Sequence, residues 1–176
     1  VNKVIVLVGL MGAGKTTVGK RLAKSLGVKF KDSDDEICKA AGCSIADIFA
    51  IHGEDIFRDL EQRVISRLLS EDEPHVLATG GGAWMSEAVR NMIKEQAVSV
   101  WLKADLDVLL ERVSKRNHRP LLEAGDKRDI LSKLMDERYP IYATADISVD
   151  SDNGAHERVV KRIVDELQEA GHAAVT

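Results

Sequence analysis

An α/β fold, with a central five-stranded parallel sheet flanked by helices in three layers, is what this sequence predicts, and three observations carry the prediction. Short β-branched runs alternate with longer segments of helical period, the pattern of parallel strands joined by helical crossovers. The run Val4 to Val8 is apolar throughout, which suits a strand covered on both faces. A glycine-rich turn from Gly9 to Thr16 joins that run to a helix-forming segment carrying Val18, Leu22 and Leu26.

Strands are expected at Val4 to Val8, Val28 to Lys31, His75 to Thr79, Val98 to Leu102 and Ile147 to Asp150. Helices are expected over Lys15 to Leu26, Asp34 to Ala40, Ser44 to Ile51, Glu54 to Ser70, Ser86 to Lys94, Leu106 to Val113, Arg128 to Thr144 and His156 to Ala170. Between Lys115 and Asp129, charge together with Pro120 and Gly125 replaces any steady apolar period, so the stretch reads as a long loop and a candidate lid. No internal repeat, low-complexity tract or linker divides the chain, and its 176 residues with 44% hydrophobic content are expected to form one domain.

Charge and composition narrow the function. Twenty-five basic residues against 29 acidic ones give a net charge of −4, so no overall basic field points to nucleic acid, and an anionic ligand must be met by local charge. No apolar run approaches the ~20 residues of a membrane span, and a soluble, cytoplasmic protein is expected. Val1 is not an initiator methionine, which leaves a preceding targeting segment open. Cys38 and Cys43 fit neither a zinc ligand set nor a disulfide framework and read as reduced thiols.

Gly9 to Thr16, GLMGAGKT, has two glycines five apart followed by Lys and Thr, the P-loop pattern of phosphate-binding proteins. Glycines let the backbone of Gly12, Ala13 and Gly14 curl so that amides face phosphate oxygens, and the following helix offers its positive end to the same anion. Lys15 is expected to reach the β- and γ-phosphates of ATP, Thr16 to place its hydroxyl on Mg2+, and Thr17 to serve a more distal phosphate. The bland alternative, a turn that merely connects strand to helix, is disfavoured by the strand and helix on either side. No Asn-Lys-x-Asp guanine-reading tetrapeptide occurs, which argues against a GTPase.

The second strand leads into Asp32-Ser33-Asp34. Alternate residues of an extended segment face opposite ways, so a division of labour between the two carboxylates is expected unless a bend brings both into one cleft. Both stand at a strand's C-terminal end, where open parallel sheets bind ligands. For Asp34 the competing structural role is helix N-cap.

The pieces GLMGAGKT, KDSDDEI, FRDLE, LATGGGA, RPLL and ERYPIY, running from the first strand to Tyr142, stand in the order and approximate spacing of the shikimate kinases, and the chain resembles that family. The resemblance implies transfer of the γ-phosphoryl of ATP to the 3-hydroxyl of shikimate, a step of chorismate and aromatic amino-acid biosynthesis, by a monomer using Mg2+. It assigns Arg58 and Arg138 to the substrate carboxylate, a planar anion that a guanidinium grips with two parallel hydrogen bonds. Gly80, Gly81 and Gly82 belong by resemblance to the substrate pocket, and Asp34 holds the acceptor hydroxyl, whether as base or as orienter. Asp32 meets the metal through water. Arg119 of the candidate lid meets the ATP phosphates during transfer, and Arg112 lies against the adenine. Trp84 and Met85 read as packing residues, and Pro140 suggests a distortion or end of the helix that aims Arg138 inward. Other small-molecule or nucleotide kinases on the same scaffold, and a nucleotide-binding module without catalysis, are the competing readings.

Overall fold

The computed structural model describes residues 2–115, 126–152 and 154–172. Five strands form one parallel sheet: β1 (Val4–Val8), β2 (Lys29–Asp32), β3 (His75–Ala78), β4 (Ala97–Lys103) and β5 (Ile147–Asp150), in the order β2-β3-β1-β4-β5. Every neighbouring pair is parallel, with Ile5 opposite Val76 on one side of β1 and Val98 on the other. β1 is central, and all five of its residues are buried, as its unbroken apolar run requires.

Helices flank the sheet. α1 (Lys15–Leu26) packs on α7 (His156–Glu169), while α3 (Ile45–Leu69) packs on α4 (Glu87–Gln96). α2 (Ser33–Ala41) precedes α3, and α5 (Leu106–Ser114) packs on α6 (Lys127–Tyr142). A single 3-10 turn, Ala83–Met85, sits between β3 and α4 where the sequence suggested only a loop. Trp84 in that turn is fully buried and donates from Nε1 to the Ile141 carbonyl at 3.0 Å, while Met85 packs against the core. Both are packing residues.

Several boundaries differ from the sequence expectation for identifiable reasons. β2 starts at Lys29, because Val28 is used in closing α1: Gly27 turns left-handed at φ 69°, and the Val28 amide donates to Ala23. α2 begins at Ser33, with Asp32 as its N-cap; the Asp32 carboxylate accepts from the Asp34 amide at 2.9 Å. The capping role considered for Asp34 therefore falls to Asp32. The two expected helices Ser44 to Ile51 and Glu54 to Ser70 abut as one run, α3, interrupted at Gly53 by a non-helical φ of 82° and ψ of 174°. α6 begins at Lys127, capped by Asp126, so the end of the expected loop is helical. Pro140 lies inside α6, which ends two residues later at Tyr142. Pro120, Gly125 and most of the candidate lid lie outside the described residues.

Candidate active site

The C-terminal ends of β1, β2 and β3 border a cleft of about 790 Å³. One wall is the turn after β1. Gly9, Gly12 and Gly14 take φ values of 148°, 83° and 95°, conformations costly for any residue with a side chain. Gly14 is the N-cap of α1, and no side chain caps this helix end or places an acidic group in its first turn. Such an end offers its orphan amides and positive dipole to an anion. Lys15 bends back to donate to the carbonyls of Gly9 and, at 3.2 Å, Leu10, which keeps the ammonium over the turn. Gly12, Gly14, Lys15, Thr16 and Thr17 all line the cleft; Ala13 is buried beneath it, 1% exposed.

Thr16 donates to Asp32 Oδ2 at 3.2 Å, joining the first turn of α1 to the end of β2. A hydroxyl and a carboxylate are hard oxygen ligands of the kind Mg2+ accepts while keeping water and phosphate oxygens in its remaining positions. Among the described residues no group of three or more Asp, Glu, His or Cys side chains is placed to hold a metal. Asp34 also lines the cleft, since the strand has ended and the chain has turned into α2. Of the two arrangements open to these carboxylates, the bend into one cleft is the one realised.

The opposite wall is built on the glycine triplet after β3, and each glycine seats one side chain. A methyl group on Gly80 would lie 3.0 Å from Asp34 Oδ1, one on Gly81 3.3 Å from Arg138 Nη1, and one on Gly82 2.8 Å from Arg58 Cζ. The sequence singled out Gly80, Gly81, Gly82, Asp34, Arg58 and Arg138 from four separate segments, and the fold brings them together. Arg58 lines the cleft, and its guanidinium lies 5.1 Å from the Phe57 ring centroid.

Three residues that sequence reasoning overlooked support these groups. Glu61, 1% exposed, accepts from Arg58 Nη1 at 2.9 Å, while its Oε2 has no hydrogen-bond partner among the described residues. Burial pushes its carboxyl above the ordinary value, the neighbouring Arg58 opposes that shift, and Asp34 adds to it. The available signal was its place three residues after Arg58, on the helix face carrying Phe57 and Val64. Ser151, just beyond β5, donates to the Ala13 carbonyl at 2.8 Å. Tyr142, fully buried, donates from its hydroxyl to the Gly81 carbonyl.

Arg112 on α5 braces the turn from the other side of the sheet. Nη1 donates to the Gly12 carbonyl at 3.1 Å and to Ser151 Oγ at 3.2 Å, and Nη2 donates to the Asp152 carbonyl at 2.6 Å. Arg119 lies outside the described residues.

A parallel sheet in this strand order, a glycine turn feeding a helix end, and a second wall with cationic side chains together define a P-loop kinase. A family model described as Shikimate kinase matches residues 11–168. The Paramagnetospirillum magneticum shikimate kinase is 53% identical over 167 residues, covering 95% of this chain and 85% of its own, and that of Caulobacter vibrioides is 52% identical over 168, covering 96% and 84%. A solved structure, shikimate kinase from Acinetobacter baumannii in complex with shikimate, superposes with a TM-score of 0.90 at 37% identity, covering 96% of this chain and 94% of its own. This chain belongs to the shikimate kinase family.

Proposed function

We propose that this chain transfers the γ-phosphoryl group of ATP to the 3-hydroxyl of shikimate, giving shikimate 3-phosphate and ADP. The observation that carries the reading is the single cleft in which a phosphate-binding turn faces Asp34, Arg58 and Arg138 across the glycine triplet. The family supplies the identity of the acceptor.

The phosphoryl donor is held by the amides of Gly12, Ala13 and Gly14, by Lys15 and by Thr17. Thr16 and Asp32 would hold Mg2+, which would supply charge neutralisation to the phosphates of the donor. Arg58 and Arg138 grip the acceptor carboxylate, and the backbone of Gly80, Gly81 and Gly82 allows close approach of the ring. Asp34 accepts a hydrogen bond from the acceptor hydroxyl and orients or deprotonates it. Lys15 and Arg119 stabilise charge on the transferring group, and Arg112 lies along the adenine side. The bond formed is from the acceptor oxygen to γ-phosphorus; the bond broken is from γ-phosphorus to the bridging oxygen of ADP. A monomer working in the cytoplasm completes the reading. Among the described residues no helix is long and apolar enough to cross a membrane.

Coupled ADP release with magnesium-ATP tests it, comparing shikimate, gluconate, a nucleoside monophosphate and no acceptor. Release dependent on shikimate alone is expected. Turnover with another acceptor would overturn the acceptor assignment, and no turnover with any would favour a binding module.

A further inference from the structure

Tyr142 carries an oxygen that packing does not require. Its ring, 0% exposed, stacks on Trp101 with centroids 5.9 Å apart and planes at 26°, and meets Tyr139 edge-on at 6.1 Å. A phenylalanine would fill the same space and keep both ring contacts. A buried hydroxyl must be hydrogen-bonded to be tolerated, and this one has a backbone partner. It donates to the Gly81 carbonyl, and the Arg138 guanidinium, one helical turn earlier, lies against the same glycine.

These groups meet where acceptor wall and phosphate turn touch. A methyl group on Gly81 would lie 3.3 Å from Arg138 Nη1, 3.6 Å from the Met11 amide nitrogen and 3.7 Å from the Gly9 carbonyl oxygen. Pro140 stands between Arg138 and Tyr142 in the last turn of α6, where it has no amide hydrogen to complete the helical ladder. The hydrogen bond from Tyr142 to Gly81 supplies a constraint the backbone of that turn lacks.

We infer that the Tyr142 hydroxyl is a positioning group for acceptor recognition, anchoring the Gly81 carbonyl beside the Arg138 guanidinium so that the carboxylate-binding side chain keeps a fixed register against the phosphate turn. The inference rests on the reading of Arg138 as a carboxylate-binding residue. Burial pushes the phenol up to about 12, so the hydroxyl keeps its proton at neutral pH. Its polarity is thereby set: it gives its hydrogen to the Gly81 carbonyl and leaves its lone pairs to a positively charged neighbour.

The test is Tyr142→Phe, Arg138→Ala and the double variant, with KM measured separately for shikimate and for ATP and thermal denaturation as a folding control. Loss of the hydrogen bond that holds Gly81 beside Arg138 should raise the shikimate KM of Tyr142→Phe several-fold, up to about tenfold. ATP KM and melting temperature should stay near wild type, and Tyr142→Phe should add nothing further in the Arg138→Ala background. An impaired Arg138→Ala with a Tyr142→Phe that matches wild type would overturn the positioning role and leave the arginine's role standing. Equal loss for both substrates with a lowered melting point would reduce Tyr142 to a packing residue. An unimpaired Arg138→Ala would overturn the carboxylate reading itself.

Discussion

Gly82→Ala isolates the seat of Arg58. Gly82 has φ −92° and ψ −7°, a conformation open to any L-residue, so the substitution adds no backbone strain. The new methyl carbon would stand 2.8 Å from both Cζ and Nη1 of Arg58. Non-bonded carbon contacts settle near 3.5–4.0 Å, so the guanidinium must retreat by about 1 Å. Arg58 is the flexible partner, its side chain one-third exposed, so it moves and the glycine strand stays. Retreat strains its 2.9 Å bond to Glu61 and takes it out of register with an acceptor carboxylate. Hydrogen bonds to charged groups contribute about 1.5–3 kcal/mol, which corresponds to roughly 10- to 150-fold in acceptor kcat/KM. The assay is steady-state ADP release with each substrate varied in turn, beside a thermal melt. Acceptor KM should rise while ATP KM and fold stability hold. An acceptor KM equal to wild type would refute the seat, and parallel damage to ATP binding would show that the methyl group disturbs the whole cleft.

Asp34→Asn should nearly abolish phosphoryl transfer while leaving ATP binding mostly intact by equilibrium titration, and normal turnover would remove Asp34 from the mechanism. Arg112→Ala withdraws donors from the carbonyls of Gly12 and Asp152, so it should raise ATP KM well above any change in acceptor KM; an unchanged ATP KM would dismiss that brace. Glu61, whose carboxyl is pushed up mainly by burial, favours the folded state while protonated, and that contribution is lost as pH rises from the ordinary carboxylate range through the raised folded-state value. Wild-type melting temperature should therefore fall relative to Glu61→Gln as pH climbs towards neutral, and parallel curves would place the ionised group at no disadvantage in the fold.

How much of this was legible in the sequence depends on what fixes each residue's role. Lys15, Thr16 and the turn glycines are dictated by chemistry that tolerates few residue types, so a pattern between a strand and a helix sufficed. The break at Gly53 was readable because a glycine interrupts two helical periods. The division between Asp32 and Asp34 was not, since it turns on whether the strand ends at Lys31 or Asp32, a one-residue boundary that periodicity does not resolve. Ser151 and Tyr142 escaped for a different reason. Each acts on a residue distant in sequence or on a backbone carbonyl, and neither relation leaves a mark in local spacing. Arg58 and Arg138 stood out only through the family pattern, because an isolated arginine on a helix is ordinarily a solvated one.

The strand order itself separates donor from acceptor. β1 pairs with β3 on one side, Leu7 opposite Ala78, so the phosphate turn after β1 and the glycine triplet after β3 emerge side by side. β2 lies beyond β3 and delivers Asp32 and Asp34 to the same flank. On the other side, β4 leads to α5 with Arg112, and β5 leads to Ser151, both in contact with the backbone of the phosphate turn. On the proposed function, the acceptor would lie along the C-terminal edge over β2 and β3, the phosphates over β1, and the remainder of the nucleotide over β4 and β5. The γ-phosphoryl group, at the end of the nucleotide, would then be directed towards β3, where the proposed acceptor site stands. Two helical crossovers that place β1 between its neighbours fix that direction before any side chain is chosen, and the side chains named here act on a geometry the sheet has already set.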